Sequence, residues 1–167
     1  MHDELTQKDI ELMRQELNYL RTVLRPKLIE DVQTARAFGD LSENFEYKAA
    51  KRDKNRNDSR CRYLENMIRT AVVISDRSGE GTVGLYDRVT FFVEEDDENV
   101  TCQIVTTMRQ NALKNLISKE SPVGKALLGR RVGDRVTVQV NDSYSYDVVI
   151  QAIEPGEDTG DAPLIGF

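Results

Sequence analysis

The sequence predicts an α+β protein in two parts: a long antiparallel α-helical coiled-coil hairpin, then a smaller β-rich globular domain. Three observations carry this. Two segments repeat apolar residues in steps of three and four, the spacing of helices that pack along a seam. A nine-residue break, Gly39 to Tyr47 (GDLSENFEY), lies between them and is too short for anything but a turn. After Ile74 the apolar period falls to two and glycines appear, as expected of strands and their connections.

The first helical segment puts Ile10, Met13, Leu17, Leu20 and Leu24 on one stripe. The stripe then moves by four, to Leu28, Val32 and Ala35, a stutter in the heptad. Pro26 falls beside that shift, lacks an N–H, and is expected to bend the rod there. The second segment gives Tyr47, Ala50, Lys54, Asn57, Cys61, Leu64, Ile68 and Ala71. Its middle seam positions, Lys54 and Asn57, are polar, so the distal half of the hairpin should pack weakly. At about 1.5 Å per residue, two helices of about 30 residues reach on the order of 45 Å. The coil is assigned to residues 1–75, with its tip at 39–47.

Residues 76–84, with Gly79, Gly81 and Gly84, read as a linker into a globular domain over 85–153. Leu85–Val93 and Val100–Val105 read as strands around the acidic turn Glu94–Asn99. Residues 106–120 fit no single pattern. Ser121–Pro122 is a helix start, a cap followed by proline in the first turn, and Gly129 is a stop. Val132–Val140 and Tyr144–Ile153 alternate across Asn141-Asp142-Ser143 and should form a hairpin. The acidic tail, 154–167, is expected to be disordered unless Leu164-Ile165 dock somewhere.

Composition narrows the function classes. Hydrophobic residues make up 39% and charged residues 31% of the 167, as expected when a solvated coil occupies part of the chain. No apolar run approaches the ~18 residues of a membrane span. The polar, acidic start MHDELTQKD is unlike a signal peptide, so a cytosolic location is expected. Cys61 and Cys102 lack metal-site spacing and read as ordinary thiols. The single histidine, His2, sits at the terminus and argues against a His-dependent triad. Net charge is -6, divided as +1 over residues 1–75 (14 basic, 13 acidic) and -7 over 76–167 (9 basic, 16 acidic). Between Lys48 and Arg62, seven basic residues face two acidic ones, so any polyanion contact is expected on the rod.

The tip holds the most informative pair, Asp40 and Glu43. One explanation is local: Gly39 ends the first helix, Asp40 caps the second, and Glu43 completes a capping box. The other is chemical. Two exposed carboxylates at the end of a rod can help hold a divalent ion whose remaining ligands come from elsewhere, since Mg²⁺ typically takes only one or two protein carboxylates. Residue types alone favour the capping explanation. Likewise Tyr47 falls on the seam, while Phe45 offers a stacking surface.

The segments LTQKDIELMRQELNYLRTVLRP (5–26), ARAFGDLSENFEYKAAKR (35–52), LISKESPVGKALLGRRVGD (116–134) and the closing strand pair resemble the GreA/GreB family of bacterial transcript-cleavage factors, most closely its GreA branch. The resemblance covers nearly the whole chain. It implies an FKBP-like fold for the globular domain, which docks on RNA polymerase at the mouth of its secondary channel while the coil runs toward the active centre. The tip acids, here Asp40 and Glu43, would help the polymerase hold its second Mg²⁺ and hydrolyse the backtracked RNA 3′ end. The protein would then be an accessory factor with no cofactor of its own, and a monomer. Lys48, Lys51, Arg52 and Lys54 would contact RNA, and Ser121, Pro122 and Val123 would contact polymerase. The chain departs from the family pattern at Thr106–Ala112, where relatives usually carry acids, and continues about 14 residues past their usual end. Relatives with altered tips inhibit polymerase without cleavage, which leaves a channel-binding regulator as the alternative. A prolyl isomerase or a plain coiled-coil dimeriser are more distant rivals.

Overall fold

A computed structural model describes residues 2–39, 43–75 and 79–166. The chain divides into two compact units, one built from residues 10–71 and the other from 3–9 and 72–166.

The first unit is a helical hairpin. Helix α1 (Gln7–Tyr19) runs through a π-helical turn, Leu20–Leu24, into α2 (Arg25–Arg36). Helix α3 (Phe45–Thr70) returns alongside. The expected bend at Pro26 takes a different form. Proline sits in the first turn of α2, where its missing N–H is tolerated, and the irregularity is the π turn just before it. A wider turn keeps the four-residue steps from Leu20 to Leu28 on one side of the helix. Asn57 reaches it from across the seam, its Nδ2 donating to the Leu20 carbonyl at 3.3 Å.

Burial is deeper toward the base. Ile10, Met13, Leu17 and Leu20 are buried, as are Cys61, Leu64 and Met67 of α3, whereas Leu24, Leu28 and Val32 are only half-buried. Met67 takes the buried position that the heptad assigned to Ile68, which is half-buried. Charge pairs also bridge the helices: Arg60 to Glu16 in bidentate form at 2.9 and 3.0 Å, and Arg25 to Asp58 at 3.1 Å.

The second unit is a curled five-stranded sheet with a short helix packed on it. Strands β1 (Glu4–Leu5) and β2 (Val72–Val73) form a separate parallel pair. The main sheet contains β3 (Arg88–Val93), β4 (Glu98–Val105), β5 (Leu116–Ser118), β6 (Arg135–Gln139) and β7 (Ser145–Glu154). Its order is β5-β4-β3-β7-β6, antiparallel except for the β4–β5 pair. Alternating inward residues, among them Val89, Ile104, Val138, Val148 and Ile150, form the core with Leu127 of helix α4 (Pro122–Leu127). Gly124 lets α4 lie directly on the chain before it, because a Cβ there would overlap the Ser118 carbonyl oxygen.

Residues 106–120, patternless in the sequence, form two 3-10 turns, Thr107–Arg109 and Ala112–Lys114, followed by β5. The tail, expected to be disordered unless Leu164-Ile165 dock, is held in place over the described residues. Arg109 is fully buried. It donates to the Asp158 carboxylate at 2.8 and 2.9 Å, to Asp9 at 3.3 Å and to the Ala162 carbonyl at 2.5 Å, with its guanidinium over the Tyr86 ring. Asp9 is also half of a capping box at the start of α1: it accepts from the Thr6 N–H at 2.9 Å and donates its own N–H to Thr6 Oγ1. The Ile165 N–H then donates to the Met108 carbonyl at 2.7 Å. A buried guanidinium needs acceptors on every N–H, and the tail supplies most of them.

Candidate functional site

The tip is built by Asn44. Its backbone is extended, its Oδ1 accepts from the Tyr47 N–H at 2.9 Å, and its Nδ2 donates to the Ala35 carbonyl at 2.6 Å. One side chain therefore caps α3 and ties it to the end of α2. This corrects the capping expectation for the acids. Asn44 is the N-cap of α3, so Glu43 is not at N3. Glu43 precedes the cap, outside the helix and exposed. Asp40 itself lies outside the described residues. Gly39 holds a φ of +145°, a value that side-chain-bearing residues rarely adopt, and so turns the chain out of α2.

Behind the cap, Arg36 donates to the Tyr47 hydroxyl at 3.2 Å and stacks over its ring at 5.4 Å. That hydrogen bond holds the Tyr47 phenol below its ordinary range. Tyr47 is thus a half-buried packing residue, as its seam position predicts. Phe38 and Phe45 differ. They are 73% and 81% exposed and line one open hollow of about 600 Å³ together with Gly39, Glu43, Asn44 and Glu46.

The basic face of α3 begins one turn further on. Lys48, Lys51 and Arg52 line a shallow hollow with Asn55, Arg56 and Ser59, all at helical spacing on one side. Lys54 does not join them. It turns to Asp58 at 3.0 Å, and burial pushes the Asp58 acid up while the bonds from Lys54 and Arg25 outweigh it, leaving a net downward shift. Arg56 was part of the basic run read from the sequence but not of the expected RNA-contacting set, and Asn55 was in neither, although their i+4 spacing from Arg52 and Lys51 was available.

Ser121 caps α4, its Oγ accepting from the Gly124 N–H at 3.0 Å. Pro122 is exposed beside it. Val123 is half-buried and borders a cavity of about 310 Å³ with Phe91, Cys102, Ile117, Tyr144 and Tyr146, rimmed by Glu95 and Asp96. The three predicted docking residues therefore share one corner of the second unit. Burial pushes the Cys102 thiol up to about 11, and both cysteines are free and buried. Among the described residues, no group of three or more His, Cys, Asp or Glu side chains is placed to hold a metal.

Residues 4–73 match the family "Transcription elongation factor, N-terminal", and residues 78–155 match "Transcription elongation factor, GreA/GreB, C-term". The chain belongs to the GreA/GreB family. It is similar to the Transcription elongation factor GreA of Geobacillus kaustophilus, 47% identical over 81% of this chain and 86% of that one. It is also similar to GreA of Staphylococcus epidermidis, 39% identical over 90% of this chain and 95% of that one, and to GreA of Bacillus subtilis, 42% identical over 81% and 86%. Among solved structures, "Structure of the transcription factor Gfh1" covers 93% of this chain at 29% identity with a TM-score of 0.46, an overall match too loose to carry an argument. The protein is thus a Gre-type transcription elongation factor.

Proposed function

We propose that this protein is an accessory factor that enters the secondary channel of bacterial RNA polymerase and stimulates the polymerase's own cleavage of backtracked RNA. The observation that carries the reading is the division of labour at the tip. Asn44 does the capping, so Glu43 is an exposed carboxylate outside the helix, three residues from Asp40 in sequence. Hard oxygen donors of this kind suit Mg²⁺, and two of them complete a site better than they make one. Asp40 and Glu43 would hold such an ion together with ligands of the polymerase, and it would supply Lewis-acid charge and an activated water. This chain's part is to present Asp40 and Glu43 as the missing donors and to hold the RNA beside them. The hollow of Lys48, Lys51 and Arg52 receives the phosphates of the extruded 3′ end. Ser121, Pro122 and Val123 form the docking corner of the globular unit. The factor acts as a monomer in the cytoplasm, where its polymerase works.

The test is the metal dependence of cleavage in purified backtracked complexes. The protein should lower the Mg²⁺ concentration that gives half-maximal cleavage, and Glu43→Gln should restore the higher value. An unchanged Mg²⁺ midpoint would remove the metal role. Slowed nucleotide addition with no released 3′ fragment would instead identify an inhibitory channel regulator.

A further inference from the structure

We propose that Phe38 and Phe45 form a stacking site for an unpaired nucleobase of the extruded RNA 3′ end. The inference rests on the proposed function and goes beyond the acids and the basic face. Packing does not explain these rings. Each is about three-quarters or more exposed, and α2 and α3 are tied together without them, by Asn44 bridging to Ala35 and Arg36 bonding to Tyr47. A single exposed phenylalanine is ordinary; two that line the same hollow at the end of a hairpin are not. Phe45 is the first residue of α3, so its ring is carried on a rigid, capped helix.

The surroundings select the occupant. Glu43 and Glu46 border the hollow, and Lys48 Nζ lies 5.9 Å from the Phe45 ring centroid. An apolar protein segment docking there would have to strip water from all three charges. A nucleotide presents a flat π-face for the ring and an anionic phosphate for the ammonium, and Lys48 also opens the basic hollow along α3.

The experiment compares cleavage in backtracked complexes whose extruded 3′ nucleotide is normal or abasic. On normal RNA, Phe45→Ala should lower the second-order rate constant for stimulated cleavage roughly tenfold, the scale of one base–aromatic stack. On abasic RNA the same substitution should cost nothing, because its partner is already gone. Phe38→Ala should follow the same pattern, Phe45→Trp should retain activity, and Phe45→Leu should lose it. The proposal is overturned if Phe45→Ala matches wild type, if it loses equally on both RNAs, or if Phe45→Leu is fully active, which would indicate an apolar protein contact. Asp40→Ala is run alongside. If Asp40→Ala is inactive and the phenylalanine variants are not impaired, only the stacking site is wrong. If wild type stimulates nothing, both proposals are overturned.

Discussion

Replacing Asp158 by alanine removes two of the four hydrogen bonds on a guanidinium that has no exposed surface. Arg109 would keep only Asp9 at 3.3 Å and the Ala162 carbonyl, and the Gly160 N–H would lose its acceptor as well. Breaking one partner of a buried pair costs about 3–5 kcal/mol, because the remaining charge stays desolvated. The tail can peel back and admit water to Arg109, which sets the expectation near the lower end, about 3 kcal/mol. Two units make a single global unfolding curve unreliable, so the measurement is native-state hydrogen exchange. The Ile165 and Arg109 amides donate to the Met108 and Thr106 carbonyls and report opening of this cluster directly. At about 1.4 kcal/mol per tenfold, their exchange should speed up on the order of a hundredfold. Glu157→Ala, an exposed neighbour, should stay within about 0.5 kcal/mol of wild type. If the two variants exchange alike, the tail is not held by the ion cluster and the reasoning fails.

Other consequences are simpler to read. Asn57→Leu should raise the unfolding midpoint of the hairpin, by about 1 kcal/mol, because it removes a buried amide whose Oδ1 has no partner while Leu20 O keeps its bond from the Arg25 N–H. The Asp58 acid is shifted down on folding, so its contribution is present above the usual carboxylate range and is lost as pH falls through its lowered value. Hydrogen exchange of the α3 amides across that pH range should show the acid-side loss in wild type and a smaller one in Asp58→Asn. Cys102, its thiol raised to about 11 by burial, should resist iodoacetamide at pH 8 in the native protein and react on unfolding.

Much of the fold was legible because periodicity reports burial directly. Leu17, Cys61 and Leu64 were readable as seam, and Ser121-Pro122 as a helix start, from local pattern alone. The π turn was visible only as a run of four-residue steps, since a stutter and a wider turn leave the same mark in sequence. The tip was misassigned because Gly39-Asp40 and Glu43 spell a capping box, whereas Asn44 does the capping by reaching both α3 and Ala35. That choice depends on where the partner helix ends, which is tertiary information. The Arg109 cluster was hidden for the same reason: its acceptors come from residues 9, 158 and 162, far apart in the chain. The basic residues of α3 were legible, but which of them share a face with Arg56, and which turn to Asp58 as Lys54 does, required the helix.

On the proposed function, the tip acids assist chemistry performed by another protein. The most direct test is transcript cleavage in backtracked complexes of a bacterial RNA polymerase, with Asp40→Ala and Glu43→Ala beside wild type and polymerase binding measured in parallel. The account predicts a loss of stimulated cleavage of at least about tenfold to a hundredfold, the range for groups that support a metal site, with binding affinity unchanged within about threefold, as expected when a tip residue outside the docking corner is truncated. Full cleavage by both variants, or a fall in activity matched by an equal fall in binding, would contradict it.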